Sequence, residues 1–222
     1  MNRVLAALLI LAAAAFAQEV NPDKRLEHST EAMRVFLSPD SSVPQNLIGK
    51  AQCIVVVPRL MKGAFLIGGK YGRGFAACRK SPTSWSAPAA IAIEGGSFGP
   101  QLGGSATDLI MLVMNERGMA RLLGDKFTLG GEAAIAAGPT GVTASANPDV
   151  LMMAEMISYS RAKGLFVGLS LEGATLRPDS GENKKLYGHE MGNRDILMGK
   201  VQAPRGARGF VGLLNRRARK GK

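Results

Sequence analysis

Histidine and cysteine are almost missing from this chain: two of each occur in 222 residues, with a single tryptophan. His28 and His189 are remote from one another, as are Cys53 and Cys78, so the sequence offers neither metal-ligand spacing nor a cofactor-holding cluster. A second long apolar run is also missing. Beyond the first 17 residues nothing approaches the ~20 apolar residues that a spanning helix needs. Acidic residues are absent from one whole stretch, since Lys50 to Lys80 holds seven cations and no anion.

What is present begins with MNRVLAALLILAAAAFAQEV, where Arg3 precedes an apolar run from Val4 to Phe16 that closes on Ala15-Phe16-Ala17. That order predicts a cleavable secretory signal over residues 1–17, a mature chain starting at Gln18, and a periplasmic or secreted location. No cysteine lies near the junction to take a lipid anchor. The remaining chain is long enough for one domain with a sizeable core.

The formal net charge of +11 is unevenly spread. Besides the acid-free stretch, Arg194 to Lys222 carries nine cations and one anion, whereas Ser81 to Asn193 carries eight cations and eleven anions. Two basic blocks of this kind recruit polyanions. An exported protein rarely meets nucleic acid, which leaves an anionic lipid surface as the expected partner.

Asn21-Pro22-Asp23 followed by KRLEHSTEAMRVFL predicts an amphipathic helix within residues 18–43, with Leu26, Met33 and Phe36 near one face and packing on the domain. A short helix is expected from Pro44. Thereafter short β-prone runs alternate with glycines: CIVVVP, GAFLIGG, GFAACRK, AAIAIEGG and DLIMLVMN, then, after a helix at ERGMARLLG, AAIAAG, LMMAEMISYS and GLFVGLSLEG. The fold class expected is α+β, with N-terminal helices packed on a curved, glycine-rich antiparallel sheet or partly closed barrel. If the first three runs form an up-down-up meander, the first and third strands are parallel and Cys53 and Cys78 fall near opposite ends. A six-residue strand is ~20 Å long, beyond the reach of a disulfide, so free thiols are expected.

Four collinear segments, PQNLIGKAQCIVVVPRLMKGAFLIGGKYGRGFAACRK, WSAPAAIAIEGGSFGPQLGGSATDLIMLVMN, GEAAIAAGPTG and YSRAKGLFVGLSLEG with a closing LYG, resemble the successive blocks of the SYLF (Ysc84-like) family, also described as Las17-binding protein actin regulators. The resemblance runs from about Pro44 to Gly188 and suggests a domain over 44–190, with 191–222 as a basic C-terminal tail. It implies a lipid-binding module, known among eukaryotic relatives for phosphoinositides and, beside an SH3 domain, for actin. In an exported bacterial member without an SH3 segment actin is not the expected partner, so affinity for anionic headgroups is the part that transfers.

The bases placed to make such contacts are Lys62, Lys70, Arg73, Arg79 and Lys80 in the first block, and Arg216 and Arg217 in the tail. Arg73 sits between Gly72 and Gly74, where a bare backbone lets a phosphate approach a bidentate guanidinium; the alternative is a solvated turn. The tail mixes Phe210, Val211, Leu213 and Leu214 with its bases, as an interfacial anchor does; the alternative is a solubilising extension. Gly95-Gly96-Ser97-Phe98-Gly99 satisfies GxSxG, yet a nucleophile elbow needs a helix to follow, and Pro100-Gln101-Leu102-Gly103-Gly104 reads as a glycine-shaped bend instead. Glu94, Asp108, Glu132 and Glu155 read as structural ion-pair partners. No enzymatic activity, cofactor or metal is expected. The expected function is recognition of anionic phospholipid headgroups in the bacterial envelope, and the alternative is a protein-interaction scaffold there.

Overall fold

The computed structural model describes residues 21–220 apart from 40, 42, 66, 99–102, 139–153 and 168. The expected signal and the start at Gln18 lie outside the described residues. Asn21 opens α1 (Pro22–Phe36): its side chain accepts from the Asp23 amide at 2.9 Å, and Pro22 occupies the first turn, where a missing N–H leaves nothing unpaired. Leu26, Met33 and Phe36 are buried, so the apolar face of α1 packs inward. After α2 (Gln45–Lys50) come β1 (Cys53–Phe65), β2 (Ile67–Ser81), β3 (Ser84–Trp85), β4 (Ala89–Phe98) and β5 (Gly103–Val113). The helix α3 (Glu116–Leu122), capped by the Asn115 side chain on the Gly118 amide, leads into β6 (Phe127–Thr128) and β7 (Ile135–Ala137). β8 (Met156–Ala162), β9 (Leu165–Val167) and β10 (Thr175–Pro178) follow. α4 (Ser180–Tyr187), α5 (Asn193–Leu197), a 3₁₀ turn (Arg205–Ala207) and α6 (Arg208–Lys220) complete the described chain.

The strands join in the order β6-β10-β4-β2-β1-β5-β8-β7, with β3 on β2 and β9 on β8. The pairings are antiparallel except for β7 beside β8, so the sheet is mixed, and it curls into a half-barrel. The α+β class holds. β1 lies at the centre and is buried on both faces. Ile54 and Val56 join Phe36, Phe75 and Phe210 under α1 and α6, while Cys53, Val55 and Val57 join Ile91, Leu109 and Leu122 on the other face. Burial on both sides explains why CIVVV is an unbroken apolar run rather than an alternating one. Each such side chain removed from water stabilises the fold by about 1.5–3 kcal/mol.

The meander expected from three short runs is instead one long hairpin. Pro58 closes the run CIVVVP and cannot donate to a ladder, yet the strand does not end there. It sits in a bulge, where the register of β1 shifts against both neighbours, and Arg59 adopts φ +53° with its amide donating to Asp108 Oδ1 at 3.0 Å. β1 therefore continues through GAF, and the chain reverses between Phe65 and Ile67. Cys53 and Cys78 become direct cross-strand partners, 4.0 Å apart at Cα, and are joined by a disulfide. The expectation of free thiols, which rested on the meander, is overturned by this single hairpin.

The basic tail is folded, not appended. Phe210 and Leu214 of α6 are buried in the same core as α1, so they are not available to anchor the chain in a membrane interface. Asn215 Oδ1 accepts from the Trp85 amide at 2.9 Å, tying α6 to β3. Among the described residues no helix is long and apolar enough to cross a membrane.

Candidate functional site

The strand β2 carries four of the expected bases past three different environments. At its far end Lys70 is paired across the ladder with Lys62, and its Nζ donates to the Ser170 carbonyl at 2.7 Å. Burial, and then the neighbouring Lys62 charge, push the Lys70 pKa down, against a smaller pull upward from Glu172. Midway, Arg73 donates to Asp179 Oδ2 at 2.5 Å and to Glu182 Oε2 at 3.1 Å, and Arg25 of α1 pairs with the other oxygen of Glu182. The glycines on either side of Arg73 do not open a path to phosphate. A Cβ on Gly74 would stand 2.0 Å from the Val56 carbonyl oxygen, and one on Gly72 2.6 Å from the Leu60 and Val57 side chains, so Gly74 makes room for the bulged backbone of β1 and Gly72 for the side chains beside it.

At the near end the turn SPTS folds β3 back on β2 and sets Arg79 opposite Trp85, its guanidinium carbon 4.5 Å from the ring centroid. The guanidinium also donates to the carbonyls of Ile48, Gly49 and Ala51 at the end of α2 and to that of Pro82. Burial lowers its pKa. Five donors in a fixed plane suit this multiple engagement. The positive charge meets carbonyl dipoles and an aromatic face, with no carboxylate in contact among the described residues.

This end of β2 walls an open cavity of about 680 Å³ between α2, the β2–β3 turn and α6. Lys50, Arg79, Lys80 and Arg217 line it, and none of its described lining residues is acidic. Ile48, Ile54, Trp85, Met119 and Leu214 supply an apolar side. Lys50 and Lys80 are exposed, and Arg217 is half-buried. Two donors on this lining, Trp85 Nε1 and Arg217 Nη2, are enclosed with no hydrogen-bond partner among the described residues. An unmatched buried donor costs about 1–3 kcal/mol.

Of the seven bases expected to contact lipid, the cavity brings together Arg79, Lys80 and Arg217. Arg216 is exposed one residue away on α6, while Lys62, Lys70 and Arg73 are not on this lining. Lys70 and Arg79 are nine residues apart along an extended strand, or about 30 Å. Lys50 and Trp85 were not singled out in the sequence. The turn signal between Lys80 and Trp85 could have found the second, since a tight reversal there opposes Arg79 and the sole tryptophan.

The remaining motifs resolve structurally. Ser97 lies within β4, opposite Gly68, rather than in the expected bend. Glu94 is held by Arg177 through two bonds of 2.8 and 3.2 Å, the hydrogen bond being the main cause of its lowered pKa. Glu155 pairs with Arg121 at 3.2 Å, Glu132 accepts from the Thr128 amide, and Asp108 accepts from Arg59. Among the described residues no group of three or more His, Cys, Asp or Glu is placed to hold a metal.

Residues 94–217 match the family model described as "Ysc84: Las17-binding protein actin regulator". The match extends beyond Gly188 and takes in most of α6. The chain is similar to SH3 domain-containing YSC84-like protein 1 of Rattus norvegicus, 34% identical over 178 residues that make up 80% of this chain and 52% of the relative. The Homo sapiens protein of the same name is 32% identical with the same coverage. Protein YSC84 of Saccharomyces cerevisiae is 30% identical over 199 residues, 86% of this chain and 42% of that protein. The chain spans about half the length of these curated relatives or less.

Proposed function

Since the chain belongs to the Ysc84 family of Las17-binding protein actin regulators, we propose that it is a lipid-binding module of the bacterial cell envelope that recognises anionic phospholipid headgroups through the bases around the α2–β3–α6 cavity. One observation carries the reading. Bases from the two separate cationic blocks, Lys50, Arg79 and Lys80 from one and Arg217 from the other, converge on a single opening lined by no acid among the described residues. Arg79 shapes the wall, and the exposed Lys50 and Lys80, with Arg217, meet the phosphate. The location rests on residues 1–17 acting as a secretory signal. Arg73 is left out, because its charge is already answered by Asp179 and Glu182.

The test is co-sedimentation of the protein with phosphatidylglycerol vesicles, with phosphatidylcholine as control. Exposed charge attraction is screened over ~10 Å at 0.1 M salt and ~3 Å at 1 M, so binding should be lost at high salt. Each base near an anionic surface contributes ~1 kcal/mol. A variant carrying Lys50→Glu, Lys80→Glu and Arg217→Glu should bind at least about a hundredfold more weakly. Wild-type affinity in that folded variant would remove the headgroup reading and favour a protein-interaction scaffold, the class of role that the family description gives to relatives.

A further inference from the structure

We propose that the cavity takes in one whole anionic amphiphile, a phosphate or carboxylate head with a single alkyl chain, beyond meeting headgroups at a bilayer surface. The inference rests on the reading of Lys50, Lys80 and Arg217 as the anion-binding side of this opening. The first ground is size. A volume of 680 Å³ matches on the order of twenty waters at ~30 Å³ each, and lies within the ~300–1,000 Å³ of sites that enclose a complete small ligand. A phosphate alone would leave most of it empty.

The second ground is the mixed lining. Lys50, Arg79, Lys80 and Arg217 share it with an apolar wall of Ile54, Trp85, Met119 and Leu214. A pure headgroup site has no use for that wall, and a pure apolar site would not gather four bases. The third ground is the pair of enclosed donors without partners, Trp85 Nε1 and Arg217 Nη2, both on lining residues. Trp85 itself is only 5% exposed. A change of Arg217 rotamer towards a bound phosphate or carboxylate gives its guanidinium the acceptor it lacks. An amphiphile with its head on the bases and its chain along the apolar wall accounts for the size, for the mixed lining and for the Arg217 donor together.

Trp85 is the only tryptophan, so its emission reports this cavity alone. Dodecyl phosphate, kept below its micelle concentration, is titrated into the full chain beside methyl phosphate, which has the head without the chain, and dodecyl maltoside, which has the chain without the charge. Dodecyl phosphate should form a one-to-one complex in native mass spectrometry, shift Trp85 emission, and bind at least about a hundredfold more tightly than methyl phosphate, as burial of even about four of its methylenes requires. Dodecyl maltoside should not saturate in the same range. Ala218 of α6 also lines the cavity, and Ala218→Phe, which fills part of it without touching charge, should weaken dodecyl phosphate at least about tenfold while vesicle binding stays within about twofold. If that variant misfolds by circular dichroism, the comparison of the two phosphates on the wild type decides. Equal affinity for the two phosphates, or binding that leaves Trp85 emission unmoved, overturns the inference. If vesicles still bind in that event, the headgroup reading survives without it; if vesicles fail as well, both are lost.

Discussion

Arg73 and Arg79 stand on the same strand six residues apart, and the chain uses them in opposite ways. Arg73 lies among carboxylates, with Asp179 and Glu182 in contact and Arg25 on the far side of Glu182. Two cations and two anions cancel there, and the cluster ties α1, β2 and α4 together. Arg79 is surrounded by carbonyls and an indole ring, which orient a guanidinium without neutralising it. The difference shows that a basic block in a sequence is not one surface. Whether a cation holds the fold or faces a ligand is decided by the counter-charges that tertiary contacts bring to it, and those come from residues more than a hundred positions away.

The comparison breaks first at Glu182. Its side chain is 1% exposed and serves two guanidinium groups, so Glu182→Ala leaves buried positive charge uncompensated and should cost about 3–5 kcal/mol. Arg217→Gln at the cavity takes away no counter-charge and removes an enclosed donor without a partner, so it should not lower stability. Urea denaturation of both variants gives the contrast, and equal losses would mean that the two ends do not differ as described. Next in size is the disulfide, which sits beside Arg79 and closes a sequence separation of 25 residues. Replacing Cys53 and Cys78 together by alanine should cost about 3 kcal/mol and loosen the wall carrying Trp85. A thiol assay on denatured, unreduced protein should find no free sulfhydryl.

Much of this architecture was legible beforehand, and what was missed has specific causes. Asn21-Pro22 marked the start of α1 because capping is local. The glycine-rich runs marked a curved sheet because strand patterns are local too. The length of β1 was not legible, since a proline inside a strand is tolerated only where a bulge removes the need for its N–H, and that bulge depends on Asp108 reaching the Arg59 amide. The disulfide was lost with it. The cavity was half legible: both basic blocks were apparent, yet their meeting depends on α6 docking Phe210 and Leu214 in the core beside α1, a contact that no short window of sequence encodes. Arg73 was misplaced for the same reason, because Asp179 and Glu182 lie far along the chain.

Lys70 extends the comparison to the far end of β2, where a base is buried against a carbonyl and close to another base. Its pKa is held below the ordinary 10.5 by burial and by Lys62. The unfolded chain therefore keeps this proton more tightly than the folded one, and stability should rise as pH is raised towards 10.5. Lys62→Gln removes one of the two causes and should flatten that rise. Thermal midpoints measured between pH 8 and 10.5 test it, and an unchanged slope would assign the whole effect to burial.

The smallest effect is expected where charge is kept and shape is changed. Arg79→Lys preserves the cation but replaces a planar fork by a compact ammonium with three donors, which cannot reach the carbonyls of Ile48, Gly49, Ala51 and Pro82 together or lie flat over the indole. Losing part of that set should cost about 1 kcal/mol of stability and move Trp85 emission. Affinity for anionic vesicles should stay within about twofold, since the number of positive charges near the surface is the same. If vesicle binding falls as far as it does on reversing Lys50 and Lys80, then Arg79 touches the ligand rather than shaping the wall. If neither stability nor emission moves, the stacking over Trp85 contributes nothing, and the contrast with Arg73 rests on charge alone.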